Sequence, residues 1–315
     1  MVKIGILYGQ ENTFPQAFTD QVNRICGPNV LAESVLIDKA LQGGAAEYAV
    51  VVDRISHDVP FYRAWLKEAA LRGTAVLNNP FWWSADEKYF NNALALRIGV
   101  PVPNTALLPA FEQPGNTSSR SFRNLAYPLD WEGIFRHVGF PAYLKPYAGG
   151  GWRDVFYIND AEQFFAVHQQ TGRETMMLQA AVEWEEYYRC YCIGAADVRI
   201  MPYDPRLPQH ERYAAGFKAG EALHAQLESF TIALNRALGY DFNTVEFAVK
   251  DGIPYAIDFC NPAPDADPQS VGGDNFRWYV EKSARYALER ALEARPGADN
   301  LRWGTFVSRA AGIPE

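Results

Sequence analysis

The stretch Asn243-Thr-Val-Glu-Phe-Ala-Val-Lys-Asp-Gly-Ile-Pro-Tyr-Ala-Ile-Asp-Phe-Cys-Asn261 reads as a β-hairpin with acids set into two apolar strands. Val245, Phe247 and Val249 share one face of an extended chain, and Thr244, Glu246 and Ala248 share the other. After the turn signal Asp251-Gly252, Tyr255, Ile257 and Phe259 alternate with Ala256, Asp258 and Cys260. A two-residue loop would set Glu246 opposite Ile257. A three-residue loop, Asp251 to Ile253, pairs Lys250 with Pro254 and sets Glu246 opposite Asp258, which is the register expected. Two carboxylates facing each other across a sheet repel, so the arrangement calls for a cation. With the carboxamide of Asn261 they make a hard-oxygen set suited to Mg²⁺ bound together with substrate phosphates.

The chain of 315 residues is long enough for two or three lobes. Its 48% hydrophobic against 21% charged residues mark it as globular and not disordered. A net charge of −8 argues against a general nucleic-acid binder. Met1-Val-Lys-Ile-Gly-Ile-Leu-Tyr8 reads as a strand and not as a signal peptide. No apolar run approaches the roughly 18 residues of a membrane span. Cys26, Cys190, Cys192 and Cys260 lack metal spacing and read as reduced, structural thiols of a cytoplasmic protein.

Over residues 1–80, expected strands at 3–8, 30–37, 48–53 and 74–77 alternate with helices at 14–26 and 61–72, which argues for a parallel α/β sheet. Helices follow at 85–98, 131–138, 160–171, 221–238 and 275–294, with strands at 142–146, 175–179 and 187–193. The segments 111–121 and 202–218 read as loops, the second long enough to serve as a lid. Lys145 ends a strand and precedes Gly149, Gly150, Gly151 and Trp152. A backbone without Cβ atoms can turn its N–H groups onto phosphate oxygens, and Lys145 would add a point charge. The alternative is a plain glycine-rich turn beside a surface lysine. Trp152 either flanks a nucleotide or caps the loop.

Taken in order, these motifs resemble the ATP-grasp superfamily of carboxylate–amine ligases, over roughly residues 79 to 278. Ser84-Ala-Asp-Glu-Lys88 resembles the first nucleotide-binding lysine, and Lys145 with its glycines resembles the second and the phosphate loop. Met177-Leu-Gln179-Ala180-Ala-Val182 resembles the segment whose backbone holds adenine, and Glu185 and Glu186 the acid that binds ribose. Glu246, Asp258 and Asn261 resemble the set that holds two Mg²⁺ ions on ATP. The resemblance implies an α/β (α+β) fold. Residues 1–80 would form a Rossmann-like parallel α/β subdomain and 81–295 the ATP-grasp domain. That domain would divide into a linking part (81–141), a nucleotide-clamping part (142–185) and a metal-binding part (186–295), with a tail at 296–315.

Two positions depart from the family pattern. The acid expected two residues before the asparagine is Phe259, with Asp258 one place earlier; a bulge would repair this, or one metal site is altered. The arginine expected two residues before the first acid, where it would contact an acyl phosphate, is Thr244. Arg189, Arg199, Arg206, Arg212 and Lys218 are the candidates to replace it. The implied activity is ATP-dependent joining of a carboxylate to an amine, on small-molecule or peptide substrates, in a chain expected to form a homodimer and to bind neither nucleic acid nor membrane. A phosphotransferase and a catalytically silent nucleotide-binding module are the alternatives.

Overall fold

The computed structural model describes residues 1–43, 46–81, 87–149, 153–214, 216–310 and 312. The chain divides into two compact units, one of residues 1–83 with 185–315 and one of residues 84–184. None of the described helices is long and apolar enough to cross a membrane.

The larger unit starts with β1 (Val2–Leu7), α1 (Phe14–Ile25), β2 (Val30–Ser34), β3 (Val50–Asp53), α2 (Pro60–Leu71) and β4 (Ala75–Leu77). The strands form a parallel sheet in the order β2-β1-β3-β4. Ile4, Ile6, Val50, Val51, Val52 and Val76 are wholly buried, the continuous apolar run of strands covered on both faces. Phe14, Phe18 and Val22 recur at four-residue spacing and bury one stripe of α1.

The smaller unit holds α3 (Lys88–Arg97), β5 (Thr105–Leu108), α4 (Trp131–Val138), β6 (Ala142–Pro146), β7 (Phe156–Ile158), α5 (Ala161–His168) and β8 (Met176–Ala180). Its antiparallel sheet runs β5-β8-β6-β7. Leu108, Ala142, Leu144, Ile158, Met176 and Leu178 point to one face and pack with Phe164 and Val138. By the period of two, Tyr143, Lys145 and Gln179 belong to the other face. Trp131, Phe135 and Phe164 join the two helices, and His168 stacks on Phe164 with ring centroids 5.3 Å apart.

The chain then returns to the larger unit with β9 (Glu186–Ile193), β10 (Asp197–Pro202), α6 (Glu221–Leu238), β11 (Phe242–Lys250), β12 (Ile253–Asp258), α7 (Pro268–Val271), α8 (Gly273–Leu292) and α9 (Trp303–Ala310). This second sheet is antiparallel, in the order β10-β9-β11-β12. Tyr279 of α8 packs on Phe14 at 5.0 Å and on Tyr191 at 4.7 Å, so one core joins α1, α8 and both sheets of this unit. The expected helices and strands are present with ends shifted by a few residues. β5, β7 and β10 were not expected: β5 and β7 are short, and β10 lies between the expected strand at 187–193 and the anticipated 202–218 loop, sharing only Pro202 with it.

Residues 296–315, read from the sequence as a tail, include a 3₁₀ turn at Asn300–Arg302. Asn300 Oδ1 accepts from Val76 N at 2.8 Å, and its Nδ2 donates to Val76 O at 3.0 Å. A side-chain amide thus takes the place of a further strand at β4, the last strand of the sheet. Gly297 makes the approach feasible, since a Cβ there would lie 2.6 Å from Gly73 O.

Two stability predictions follow from these contacts. Asn300→Ala orphans the Val76 N–H and C=O and should cost on the order of 2 kcal/mol, read as a lower urea midpoint at unchanged m value. Burial lowers the His168 pKa below 6.5, with the Pro109 carbonyl opposing. The folded protein then binds this proton less readily than the unfolded chain, so its contribution is complete above the unfolded value and is lost as pH falls below it. The melting temperature should drop between about pH 7.5 and about pH 5.5, and less steeply in His168→Phe, which keeps the stack on Phe164.

Candidate active site

The hairpin is closed by a two-residue turn, Asp251 at φ 52° and Gly252 at φ 73°, pairing Lys250 with Ile253. The three-residue loop expected from the sequence is therefore corrected. Two successive left-handed residues match the twist of the flanking strands, and Gly252 carries the second without strain. This register alone would set Glu246 against Ile257. A bulge between Glu246 and Phe247 in the ladder absorbs Ile257, and Glu246 faces Asp258 after all.

A cation is already beside them. β9 lies on the other side of β11 and pairs Arg189 with Glu246. Arg189 Nε lies 3.2 Å from Glu246 Oε1, and Tyr187 Oη donates to Glu246 Oε2 at 2.7 Å. Arg189 Nη1 donates to Tyr213 Oη at 2.7 Å, and the guanidinium sits over the Tyr203 ring at 5.2 Å. With its carboxamide turned to satisfy both ends, Asn261 accepts from Arg189 Nη2 at 3.1 Å and donates to Ala263 O at 3.2 Å. Burial is the largest influence on Arg189 and works against its charge, but Glu246, Tyr213 and Tyr203 together outweigh it and hold the guanidinium above its ordinary pKa. Burial, reinforced by Glu246, likewise raises Tyr187, which stays a donor.

Buried amides fix the loop behind the hairpin. Asn243 Nδ2 donates to Phe259 O and its Oδ1 accepts from Asn261 N, both at 2.7 Å. Asn78 donates to Phe242 O and Pro262 O and accepts from the N–H groups of Asp241 and Phe242. Arg54 binds Glu11, and its Nη2 donates to Pro264 O at 2.6 Å. Sequence reading missed Asn78, Asn243, Arg54, Tyr187 and Tyr213. The one available signal was an asparagine, Asn243, inside an apolar strand.

The other arginines are placed differently. Arg199 Nε donates to Asn275 Oδ1 at 2.5 Å, and Arg206 pairs with Asp204 at 2.8 Å. Arg212 reaches Tyr203 Oη at 3.4 Å, so it adjoins the ring beneath Arg189. Lys218 is exposed.

In the smaller unit, Lys145 Nζ donates to Gln179 Oε1 at 2.7 Å. Gln179 Nε2 donates to Asn92 Oδ1 at 3.1 Å and to Thr105 Oγ1 at 3.0 Å. Asn92 Nδ2 donates to the Lys88 carbonyl at 2.7 Å, and Lys88 N donates to Tyr147 O at 2.9 Å. One chain of amides thus links α3, which starts at Lys88, with β6, which carries Lys145. The N–H groups of Ala180 and Ala181 are taken by Asn104 O and Pro141 O, and Val182 is half-buried. In the larger unit Glu185 is exposed and Glu186 accepts from Tyr188 Oη. Gly149 has φ 87°, a conformation that favours glycine. Gly150, Gly151 and Trp152, like residues 84–86, lie outside the described residues.

Among the described residues, no group of three or more His, Cys, Asp or Glu side chains could hold a metal ion. The donors beside Arg189 are two carboxylates and a carboxamide, chemistry that fits a hard cation completing its shell with water and phosphate.

No family model matches the sequence, and no curated protein does. Solved structures do match. The D-alanine–D-alanine ligase of Bacillus anthracis in complex with ATP superposes with a TM-score of 0.61 at 14% identity, over 94% of this chain and 98% of that one. An ATP-grasp RimK domain protein of Sphaerobacter thermophilus reaches 0.63 at 14%, over 91% and 100%. The fold is ATP-grasp. A RiPP-associated ATP-grasp ligase of Chryseobacterium gregarium, in complex with ADP and a leader and core peptide, superposes at 0.61 with 15% identity, over 94% and 98%. On this fold the expected ligands Glu246 and Asp258 pair on the hairpin, Asn261 follows three residues after β12, and of the five candidate cations it is Arg189 that lies against Glu246 and Asn261.

Gln179→Leu removes three hydrogen bonds. It should lower stability by about 1–3 kcal/mol in thermal unfolding, and Gln179→Glu, which keeps an acceptor for Lys145, by less.

Proposed function

We propose that this chain is an ATP-dependent ligase that joins a carboxylate to an amine. The observation that carries the reading is the convergence of Arg189 with Glu246, Asp258 and Asn261 on a hairpin of an ATP-grasp fold. Phosphoryl transfer needs positioning and charge neutralisation more than covalent chemistry from the protein. Lys145, held by Gln179, and Lys88 would oppose the phosphate charge, and Gly149 opens the glycine run that would approach it. Asp258 and Asn261 would hold Mg²⁺, which when bound neutralises phosphate oxygens. The γ-phosphoryl group passes to the substrate carboxylate, giving an acyl phosphate and ADP; the amine then attacks the acyl carbon, and phosphate leaves as the amide forms.

Arg189 supplies the positive charge that Thr244 lacks at the usual arginine position. Tyr203, Arg212 and Tyr213 belong to the segment after β10 and would border the acyl phosphate and keep water from it. We place the substrates among small-molecule or peptide carboxylates and amines. The peptide-bound structural neighbour supports including peptides.

A non-hydrolysable ATP analogue at about 100 times its dissociation constant should stabilise the protein by roughly 2.7 kcal/mol. In a thermal-shift series the gain should require Mg²⁺, vanish in Lys145→Ala and shrink in Asp258→Asn. Absence of any shift in the unaltered protein would sink the reading.

A further inference from the structure

Arg189 turns each of its three side-chain nitrogens to a protein oxygen. Nε lies 3.2 Å from Glu246 Oε1, Nη2 donates to the Asn261 carboxamide at 3.1 Å, and Nη1 donates to Tyr213 Oη at 2.7 Å. The first contact matches its charge with that of a carboxylate. The third is of another kind. A guanidinium has no acceptor, so the phenol oxygen must accept, and the one proton of Tyr213 is directed onward, away from Arg189. Burial raises Tyr213 above the ordinary phenol range, with Arg189 opposing, so the hydroxyl keeps that proton at neutral pH. A donor that itself accepts from a charged group is polarised by it.

The phenol is also held in place. Its ring meets the Tyr203 ring edge-on with centroids 5.0 Å apart, and the guanidinium of Arg189 sits over Tyr203 at 5.2 Å. Tyr213 belongs to a 3₁₀ turn, Arg212–Ala214, whose first residue accepts from Asp204 N at 2.8 Å through its carbonyl and donates from Nε to Leu207 O at 3.0 Å. The turn is thereby tied back to the end of β10, and Tyr213 on it is only half-buried.

We infer that Tyr213 is a catalytic residue: its hydroxyl accepts from Arg189 on one side and donates on the other to an outer oxygen of the phosphoryl group in transfer. Arg189 thus acts on the anion through a phenol, where the family resemblance implies direct contact from an arginine at position 244. The inference rests on the ligase reading above and adds to it the residue that meets the transferring group. As the bond to ADP breaks and the bond to the substrate carboxylate forms, negative charge stays on the outer phosphoryl oxygens. A donor already aimed there stabilises that charge without giving up its proton.

Tyr213→Phe keeps the ring that packs on Tyr203 and removes only the hydroxyl. The probe is aluminium fluoride, which with ADP and Mg²⁺ mimics the phosphoryl group in transfer, and calorimetric titration reads ADP affinity with and without it. In the unaltered protein aluminium fluoride should tighten ADP binding by at least about a hundredfold. Tyr213→Phe should bind ADP and Mg²⁺ within about threefold of the unaltered protein but lose about a hundredfold of that tightening. Unchanged tightening would show that the hydroxyl does not meet the phosphoryl group. A fall in ADP binding by the same factor with and without aluminium fluoride, or its complete loss, would mark Tyr213 as structural. Either result overturns the inference and leaves the ligase reading standing. An unaltered protein that binds ADP and Mg²⁺ without responding to aluminium fluoride also overturns it, and one that binds no nucleotide overturns both.

Discussion

The site is organised around one electrostatic problem. Glu246 and Asp258 face each other across a strand pair, and like charges so placed repel. The hairpin tolerates them because β9 delivers a guanidinium to Glu246 from the opposite side of β11. Leaving an ion in a mostly buried place is costly unless it is paired and hydrogen-bonded. Here the pairing is thorough: Arg189 meets Glu246, Tyr213, Tyr203 and Asn261, and Glu246 also meets Tyr187.

Side-chain amides carry much of the remaining constraint. Asn243 holds the backbone on both sides of Cys260, Asn78 ties the start of β11 to Pro262, and Asn300 closes the edge of β4. In the smaller unit Gln179 and Asn92 do the same between Lys145 and the start of α3. A buried amide offers both a donor and an acceptor, so it can satisfy backbone groups where the chain leaves regular structure. Asn92 lies within α3; the other amides sit near a strand end or in a loop, where they hold a neighbouring segment or a sheet edge in place.

Apolar packing supplies the rest. Phe14, Tyr191 and Tyr279 bring both sheets of the larger unit onto a common core, and Trp131, Phe135 and Phe164 do so for the helices of the smaller one. Periods of 3.6 and 2 select the buried faces of the longer elements, while which faces meet is a matter of tertiary packing. Short strands such as β7 and β5 escape that reading, since three or four residues carry too little pattern to stand out.

By itself the sequence determined the alternation of helices and strands, the parallel first sheet, Lys145 ahead of its glycines, and two acids set into an apolar hairpin. These are local properties, written in spacing and residue type. Only the tertiary structure decided how the acids come to face each other and which cation meets them. The turn takes two residues, and a bulge at Ile257, invisible to simple alternation, restores the opposition. Arg189 was one of five candidates because strand pairing between β9 and β11 joins segments far apart in sequence. Its register is set by the packing of whole faces, not by any motif around Arg189.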